Sequence, residues 1–417
     1  MSQTRIVIVG GGFGGLGVAK RLLSSSITSS LAITIVDSSP VHIYTPWLYE
    51  IASSGIGSDD DRDEAVKTAD VSLATFSGIR FRHVAMMSID RKEQRVLLAD
   101  KTTVAYDILV LALGSVSNDF GIPGVREHAS DLKTVSDALL IRSMISEIVR
   151  AGTSAHIVVV GAGPNGSELA AECAVVLRAL TKRGKIPEKS INVTLVDVLP
   201  NPLGTLAPSL QRLARRRLRS LGVHLRMDCG LKSVQKESVT LQSMHEGKLV
   251  GSEEVLPSDC TVVALGMKMP DVINVLPYAK SSKGRILVDA SLRVQGEQRI
   301  FALGDCAARI EGSKGKADPQ TAQVAVGQAE VVAQNILSTI RNGPMRTYRQ
   351  RSYWDIMVAL GGKYAVGTLL GTSIAGYTAY MIRRFIDARY FLSILPKRQT
   401  IMRMIKGAVL YEKNERV

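Results

Sequence analysis

The sequence predicts an α/β protein with two Rossmann-type dinucleotide-binding domains followed by a C-terminal helical segment. Three observations support this fold class. An apolar strand, a glycine-rich turn and an amphipathic helix follow one another in RIVIVGGGFGGLGVAKRLL. The same succession recurs in AHIVVVGAGPNGSELAAECAVVLRAL. After each copy the next strand ends in an acidic residue, which is the arrangement of a dinucleotide-binding βαβ unit.

The first glycine turn has the spacing G-x-G-x-x-G at Gly10, Gly12 and Gly15. The first glycine permits a tight turn, the second lets the backbone approach a pyrophosphate, and the third lets the helix pack closely on the strand. The helix N-terminus offers N–H groups and a positive dipole end to phosphates. Asp37, at the end of AITIVD, is placed to accept hydrogen bonds from a ribose. We therefore expect a dinucleotide at this turn.

The second glycine turn repeats the spacing at Gly161, Gly163 and Gly166, and Asp197 ends the strand NVTLVD. An acid at this position bonds both ribose hydroxyls and repels a 2′-phosphate, so NADH is favoured over NADPH. The arginines of a helix predicted around 210–221 would weaken that preference if they faced the ribose. The alternative is that they form a solvated basic face.

Glu168 lies two residues beyond Gly166. We expect it in the first turn of the helix, where the dipole favours a carboxylate. A nicotinamide would arrive at the same place, so Glu168 is a candidate catalytic residue.

Strand-like segments separate and follow the two glycine turns, as in YDILVLALGS, DCTVVALG and RIFALGDCA. The simplest arrangement is a first domain that is interrupted by the second. We predict a first dinucleotide-binding domain at 1–118 and 285–345, a second at 119–284, and C-terminal strands and amphipathic helices at 346–417.

Composition narrows the class of protein. Basic residues exceed acidic ones by 52 to 38, giving a net charge of +14, which favours contact with polyanions such as lipid headgroups or nucleic acid. The four cysteines form no C-x-x-C pair, which argues against a disulfide scaffold, a dithiol redox centre and a zinc or other metal site. Since the first glycine motif begins close to Met1, we expect no signal peptide and a cytoplasmic fold.

The C-terminal segment combines an uncharged stretch with a basic tail. Residues 364–382 are about long enough to cross a bilayer, but their glycines and hydroxyl groups favour two short strands. Residues 383–417 carry nine basic and three acidic side chains. Apolar residues recur there at helical spacing, at Ile401, Met402, Ile405 and Val409. A basic amphipathic helix of this kind suits an anionic membrane surface. The alternative is a helix packed on its own domain or on a dimer partner.

Several segments resemble the type II NADH:quinone oxidoreductases. These are YDILVLALGSVSNDFGIPGVREHASDLKTVSDA, GAGPNGSELAAE, RIFALGDCA and VHIYTPWLYEIASSG, the last with Trp47 where a leucine is usual. The similarity extends from about Arg5 to Gln328. It implies a glutathione-reductase-like fold with non-covalent FAD at the first glycine turn and NADH at the second.

The resemblance also implies roles for individual residues. Asp305, in the Gly-Asp step of RIFALGDCA, would bond the FAD ribityl chain. The segment DPQTAQVAVGQAEVV itself predicts a helix with Asp318 as N-cap and Pro319 at its first position, and the resemblance implies that this helix directs its N-terminus at the flavin. The residues that we expect to bind FAD are Gly10, Gly12, Phe13, Gly14, Gly15, Asp37, Val84, Ala112, Gly114, Asp305 and Ala322. Those that we expect to bind NADH are Gly161, Gly163, Asn165, Gly166 and Asp197.

The family faces its quinone with an alanine-glutamine pair and a second glutamine one turn later. Ala322 and Gln323 match this pair, whereas Gly327 occupies the second position and Gln328 is displaced by one residue. Gln323 is therefore the second candidate catalytic residue.

The resulting hypothesis is an enzyme at the cytoplasmic face of the cell membrane that passes a hydride from NADH to FAD and electrons on to a quinone. Its partners would be the quinone and anionic lipids rather than nucleic acid, and homodimer formation is left open. One alternative is a sulfide:quinone oxidoreductase, which needs cysteines beside the flavin. Another is a basic, apoptosis-inducing-factor-like flavoprotein that binds NADH and contacts nucleic acid.

Overall fold

Contacts between residues divide the chain into two compact units. The computed structural model describes residues 3–56, 69–187, 191–309, 318–349 and 356–416, with side chains as far as 408. Unit 1 comprises Met1–Ile43, Val71–Val116 and Met267–Arg351. Unit 2 comprises Tyr44–Asp70, Ser117–Gly266 and Ser352–Val417. The predicted apolar position Val409 lies outside the described side chains.

The helices and strands are numbered along the chain. The helices are α1 Phe13–Leu23, α2 Leu48–Ser53, α3 Val125–His128, α4 Val135–Ala151, α5 Pro164–Lys182, α6 Pro208–Ser220, α7 Val272–Val275, α8 Ala322–Arg341, α9 Tyr377–Ile394 and α10 Lys397–Arg416. The strands are β1 Thr4–Val9, β2 Leu31–Asp37, β3 Val41–Ile43, β4 Asp70–Ser72, β5 Ile79–His83, β6 Met86–Asp90, β7 Arg95–Leu98, β8 Thr103–Ala105, β9 Ile108–Leu111, β10 Val116–Ser117, β11 Ser130–Asp131, β12 Ala155–Val160, β13 Ile191–Val196, β14 His224–Arg226, β15 Cys229–Gln235, β16 Ser238–His245, β17 Lys248–Pro257, β18 Cys260–Val263, β19 Met267–Lys268, β20 Ile286–Val288, β21 Ile300–Ala302, β22 Ala307–Arg309, β23 Met357–Ala359, β24 Ala365–Leu369 and β25 Thr372–Gly376.

Unit 1 is built on a five-stranded parallel sheet in the order β21-β9-β1-β2-β5. Residues Ile6 to Val9 of the central strand are almost fully buried, as expected of a central parallel strand. Helices α1 and α8 pack together so closely that a Cβ on Gly17 would lie 3.0 Å from Cβ of Ala329. The chain order reverses between β1 and β9. The carboxyl ends of strands at such a switch point are where open α/β sheets bind ligands.

Unit 2 repeats the architecture with a parallel sheet in the order β11-β18-β12-β13-β14. Its core includes Val158 and Val160 of β12, Val196 of β13 and Leu241 of β16. Two antiparallel sheets complete the unit, β15-β16-β17 and β23-β24-β25. The fold class is therefore α/β with two Rossmann-type cores and C-terminal helices, as the sequence predicts.

The division into units differs from the predicted boundaries, because Tyr44–Asp70 and the C-terminal segment both belong to unit 2. Side chains join these two segments. Asp387 of α9 accepts hydrogen bonds from the Tyr44 hydroxyl at 2.7 Å and from Trp47 Nε1 at 2.9 Å. Arg384 pairs with Glu50 at 3.2 Å. These partners are more than three hundred residues apart, so no local pattern indicates that they meet.

The uncharged stretch at 364–382 forms β24, β25 and the beginning of α9, in line with the two short strands that its glycines predict. Within the described ranges, no helix has both the length and the apolar character needed to cross a bilayer.

Candidate functional site

The first glycine turn connects β1 to α1 and leaves space for a ligand at one position. Gly10 has φ of +105°, and a Cβ there would lie 2.2 Å from the carbonyl oxygen of Ala112. A Cβ on Gly15 would lie 1.8 Å from the carbonyl oxygen of Gly10. A Cβ on Gly12, the N-cap of α1, would meet no atom of the chain within 4 Å. The outer glycines are therefore required by packing, whereas the middle one opens a place for phosphate.

Asp37 lies beside this turn at the end of β2. Its carboxylate accepts hydrogen bonds from the N–H groups of Gly11 at 2.5 Å and Ser39 at 2.7 Å, and the Val84 N–H donates to its carbonyl oxygen at 2.8 Å. Burial raises the pKa of Asp37, although these backbone donors oppose the rise. Because each carboxylate oxygen has two lone pairs, one acceptor position on each remains for a ribose diol. The structure thus brings Asp37, Val84 and the glycine turn together.

Ser115 links two further residues that the sequence assigns to FAD. It follows Gly114, which has φ of +65°. The Ser115 hydroxyl donates to Oδ2 of Asp305 at 2.6 Å. Asp305 lies in the short 3-10 helix Gly304–Cys306 that follows β21. Sequence reasoning missed Ser115, whose only signal is its position directly after the strand in LALGS.

Helix α8 begins later than predicted. Thr321 is its N-cap, and the Thr321 side chain accepts a hydrogen bond from the Val324 N–H at 3.3 Å. The prediction of Asp318 as N-cap and Pro319 as first helical residue is therefore wrong. The physical reason is that the Asp318 carboxylate is buried and accepts a hydrogen bond from Gln328 Nε2 at 3.0 Å, so it is not available to the helix end.

The N-terminal turns of α8 nevertheless lie against the flavin residues predicted in unit 1. A Cβ on Gly304 would lie 3.5 Å from Cβ of Ala325, and one on Gly14 would lie 3.8 Å from it. The positive end of the helix dipole is thus directed toward the ends of β1 and β21. Gln323 is exposed on the first turn, whereas Gln328 is buried. The two glutamines therefore lie on different faces of the helix.

The second glycine turn, between β12 and α5, has almost the same geometry as the first. Gly161 has φ of +107°, and a Cβ there would lie 2.3 Å from the carbonyl oxygen of Ala264. A Cβ on Gly166 would lie 1.9 Å from the Gly161 carbonyl oxygen, while one on Gly163 would meet nothing within 4 Å. Asn165 is exposed in the first turn of α5.

Asp197 takes the same place beside this turn as Asp37 does beside the first. Its carboxylate accepts hydrogen bonds from the N–H groups of Ala162 at 2.5 Å and Leu199 at 2.7 Å. The chain thus contains two dinucleotide cradles of matching construction, one in each unit.

Glu168 lies deeper than predicted. It is the fifth residue of α5, so its placement in the first turn is wrong. Its Oε1 accepts hydrogen bonds from Arg383 Nη1 at 2.6 Å and from the Ala359 N–H at 3.2 Å. Burial raises the pKa of Glu168 to about 7, although Arg383 opposes the rise.

The arginines of α6 hold the C-terminal sheet as well as forming a solvated face. Arg217 donates to the carbonyl oxygens of Leu360 at 2.9 Å and Gly361 at 2.7 Å, and its guanidinium lies 4.7 Å from the ring centre of Tyr364. Arg215 donates to the Pro200 carbonyl oxygen, whereas Arg212 and Arg216 are exposed. The side chains of Arg215 and Arg217 are therefore engaged with carbonyl oxygens of the chain, whereas those of Arg212 and Arg216 form the solvated face.

The four cysteines do not have the character of reactive thiols. All of them are buried, and none is in a disulfide. Burial raises the pKa of Cys306 to about 11 and that of Cys260 to about 12, and it also raises the pKa values of Cys173 and Cys229. A persulfide carrier must be a thiolate during turnover, and these environments disfavour thiolates.

The C-terminal helices expose an apolar surface, which we call the α9-α10 face. Two of its members, Tyr377 and Phe385, are 60% and 68% exposed. The other members on α9 and α10 are Met381, Ile386, Leu392, Ile401, Met402 and Ile405. Arg389, Lys397 and Arg398 are also exposed on these helices. The predicted basic and apolar character of the tail is therefore confirmed for the side chains that are described.

Comparison with known proteins places the chain in a family. Residues 4–329 match the family model described as pyridine nucleotide-disulphide oxidoreductase. The demethylphylloquinone reductase NdbB of Synechocystis sp. is 30% identical over 92% of this chain and 91% of its own length. A type II NADH:quinone oxidoreductase of Staphylococcus aureus is 27% identical over 94% of this chain and 97% of its own.

Two solved structures share the fold. NDH2 of Plasmodium falciparum in complex with NADH has a TM-score of 0.83 at 17% identity, with 100% of this chain and 99% of that chain covered. The sulfide:quinone oxidoreductase of Aquifex aeolicus has a TM-score of 0.78 at 20% identity, with 99% and 96% covered. The chain therefore belongs to the pyridine nucleotide-disulphide oxidoreductases and, within them, to the type II NADH:quinone oxidoreductases, as an enzyme that uses FAD and NADH.

Proposed function

We propose that this enzyme oxidises NADH and reduces a quinone at the cytoplasmic face of the cell membrane, with FAD in unit 1 and NADH in unit 2. The observation that carries the proposal is the pair of matching cradles at Gly10–Gly15 and Gly161–Gly166. One cradle serves a resident cofactor and the other a substrate nucleotide. When bound, FAD accepts a hydride from NADH and passes the electrons on to an acceptor.

The residues of unit 1 bind and orient FAD. The turn at Gly10, Gly12 and Gly15, with Phe13 and Gly14, leaves space for the pyrophosphate. Asp37, beside Val84, would accept hydrogen bonds from the adenosine ribose, and Asp305 would accept them from the ribityl chain. Ala112 and Gly114 would let the backbone approach the flavin, and Ala322, at the N-terminus of α8, would lie where the helix dipole stabilises negative charge on it.

The residues of unit 2 bind NADH and select it. Gly161, Gly163, Asn165 and Gly166 hold the pyrophosphate, and Asp197 bonds the ribose hydroxyls. A 2′-phosphate would meet the Asp197 carboxylate, whose negative charge repels it.

Two side chains are assigned to the reaction itself. The protons that the quinone takes up come from water or from Glu168 acting indirectly, and burial raises the pKa of Glu168 to about 7. Gln323, exposed on the first turn of α8, donates a hydrogen bond from its amide to a quinone carbonyl oxygen.

The α9-α10 face supports binding to an anionic membrane surface. Its apolar side chains would enter the boundary between headgroups and acyl chains, while exposed arginines and lysines meet phosphate groups. The test is sedimentation with vesicles of phosphatidylcholine and phosphatidylglycerol. Phe385→Ser should weaken binding by about tenfold or more, since burying a phenylalanine contributes roughly 1.5–3 kcal/mol. Val255→Ser, at a valine in unit 2 that is 66% exposed, is the matched control and should bind like the unchanged protein. Equal binding by both variants would contradict the assignment of this face.

The proposed reaction is tested by stopped-flow spectroscopy of the FAD-loaded enzyme. NADH should bleach the visible absorbance of the bound flavin, and a quinone should restore it. The acceptor panel should contain a benzoquinone and a naphthoquinone, because one relative is named for demethylphylloquinone. Bleaching without reoxidation by either quinone would contradict the proposed acceptor. A gel shift with nucleic acid at physiological salt tests the alternative of a basic flavoprotein that binds NADH and contacts nucleic acid.

A further inference from the structure

Gln328 of α8 has a different environment from the exposed Gln323 near the start of the helix. It is 1% exposed, and its side-chain amide is bonded at both ends. The Gly304 N–H donates to Oε1 at 2.7 Å, and Nε2 donates to Oδ2 of Asp318 at 3.0 Å. This orientation of the amide is fixed by its partners, because a backbone N–H can only donate and a carboxylate can only accept.

Gly304 directly precedes Asp305 and lies in the short 3-10 turn Gly304–Cys306. Its φ of +73° lies in the left-handed region. On the other side of Asp305, the carbonyl oxygen of Asp305 accepts a hydrogen bond from Arg285 Nε at 3.0 Å. The Gly304 N–H and the Asp305 carbonyl oxygen are therefore held by side chains from α8 and from the segment before β20.

Asp318 is hydrogen-bonded to both Gln328 and Arg285, so the three residues form one network. Its carbonyl oxygen accepts from Arg285 Nη1 at 3.0 Å, and its Oδ1 lies 3.7 Å from Arg309 Nη2. Burial raises the pKa of Asp318, while Arg309 and the hydrogen bond from Gln328 oppose the rise. A buried network of this kind holds its members in place only if the bonds are satisfied together.

We propose that Gln328 is a positioning residue for FAD, which acts through Gly304 to hold Asp305 where its carboxylate meets the ribityl chain. Residues five apart on a helix differ by about 140° in direction, so Gln328 cannot share the direction of Gln323. The glutamine that is displaced from the quinone-facing pair therefore serves the cofactor instead. The inference depends on the placement of FAD beside Asp305 proposed above.

The test compares Gln328→Met, Gln328→Glu and Asp305→Ala with the unchanged protein. Methionine has nearly the same volume as glutamine but removes both hydrogen bonds. Titration of apoprotein with FAD, followed by quenching of flavin fluorescence, should then give a Kd that is about tenfold or more higher. The midpoint potential of the bound flavin should also shift. Gln334→Met is the matched control, because Gln334 lies on the same helix and bonds Arg346 at the surface.

The glutamate variant keeps an acceptor for the Gly304 N–H, so this hydrogen bond and the fold around it are retained. It places a second carboxylate beside Asp318, so its affinity for FAD should fall as pH rises and the introduced group ionises. This pH dependence is a response that a loss of packing alone would not produce.

The outcomes distinguish a failure of the proposed role of Gln328 from a failure of the proposed FAD site at Asp305. If Asp305→Ala binds FAD like the unchanged protein, the placement of FAD beside Asp305 fails, and the inference fails with it. If Asp305→Ala weakens binding while both Gln328 variants keep the original Kd, potential and pH profile, only the inference is overturned. A lower melting temperature of Gln328→Met with unchanged FAD affinity also overturns it.

Discussion

Replacing Arg383 with methionine should destabilise unit 2 strongly and in a pH-dependent way. The Arg383 guanidinium donates to Glu168 at 2.6 Å, to the Met357 carbonyl oxygen at 2.8 Å and to the Pro46 carbonyl oxygen at 2.8 Å. Its side chain is 7% exposed and that of Glu168 is 6% exposed, so water does not readily replace the lost partner. The substitution therefore removes one donor from each of two carbonyl groups and from the Glu168 carboxyl group, which keeps only the Ala359 N–H.

The cost has a part that does not depend on pH. Each buried carbonyl group that loses its donor costs about 1–3 kcal/mol. The buried Met357 carbonyl accounts for about 1–3 kcal/mol of unfolding free energy and the half-buried Pro46 carbonyl for about 1 kcal/mol, so together they account for about 2–4 kcal/mol.

The carboxyl group supplies the pH-dependent part. The pKa of Glu168 is about 7 in the folded protein against an ordinary 4.5. A raised folded-state pKa means that the group's contribution to stability is fully present below pH 4.5 and is lost as pH rises through about 7. Without Arg383 this pKa rises further. The additional cost is then confined to pH values above about 7 and amounts to roughly 1.4 kcal/mol for each further unit.

The expected loss is therefore about 2–4 kcal/mol at a pH of about 5.5 and about 3–5 kcal/mol at about 8.5. Urea unfolding followed by tryptophan fluorescence measures it, because Trp47 is buried in unit 2 and donates a hydrogen bond to Asp387 of α9. Arg389→Met, at an exposed arginine of α9, is the control and should change the free energy by less than about 0.5 kcal/mol. Addition of Glu168→Gln to Arg383→Met should abolish the pH-dependent part. Equal midpoints for the two arginine variants, or a loss that is greater at the lower pH, would refute this reasoning.

Three further predictions follow from the site. Gly12→Ala should weaken FAD binding about tenfold or more while the fold is kept, because the added methyl group meets only the ligand, and Gly163→Ala should raise the Kd for NADH with the FAD content unchanged. Equilibrium titration with each ligand measures both effects. If Gly12→Ala instead weakened NADH binding, or Gly163→Ala weakened FAD binding, the placement of the two ligands would be contradicted. Asp197→Asn should raise the KM for NADH and narrow the preference over NADPH, since a neutral amide no longer repels a 2′-phosphate; an unchanged ratio of kcat/KM values for the two nucleotides would count against the role of Asp197. Serine replacement of each cysteine should leave NADH:quinone turnover within about threefold of the original rate, and loss of turnover in a variant that still binds FAD would favour thiol chemistry; the positions are Cys173, Cys229, Cys260 and Cys306.

The parts of the fold that the sequence predicts well are those set by local sterics. At Gly10 and Gly161 the left-handed φ and the neighbouring carbonyl oxygen admit no other residue. The spacing of the glycines therefore identifies the turn, the strand before it and the helix after it. The spacing also identifies Gly12 and Gly163, because the middle glycine of G-x-G-x-x-G is the one that leaves open space for a ligand.

The parts that the sequence does not predict depend on partners far away in the chain. Glu168 looks like a residue of a helix start, but Arg383, which is 215 residues later, pairs with it in the interior. Asp318 followed by proline has the local signature of an N-cap, yet Gln328 engages its carboxylate from α8. In both cases, burying a carboxylate without a hydrogen-bonding partner costs more free energy than a carboxylate gains at a helix end. The distant partner therefore decides where the side chain lies.

The near identity of the two glycine turns also limits how the enzyme can be inhibited. A compound that imitates only the adenosine and pyrophosphate half of a dinucleotide meets the same glycines, the same acid and the same backbone donors in both units. The two cradles differ just after the acid, where Ser38 and Ser39 follow Asp37, but Val198 and Leu199 follow Asp197. Val198 is 45% exposed and Leu199 is 37% exposed. A ligand that competes with NADH without displacing FAD should therefore place an apolar group against this valine-leucine pair.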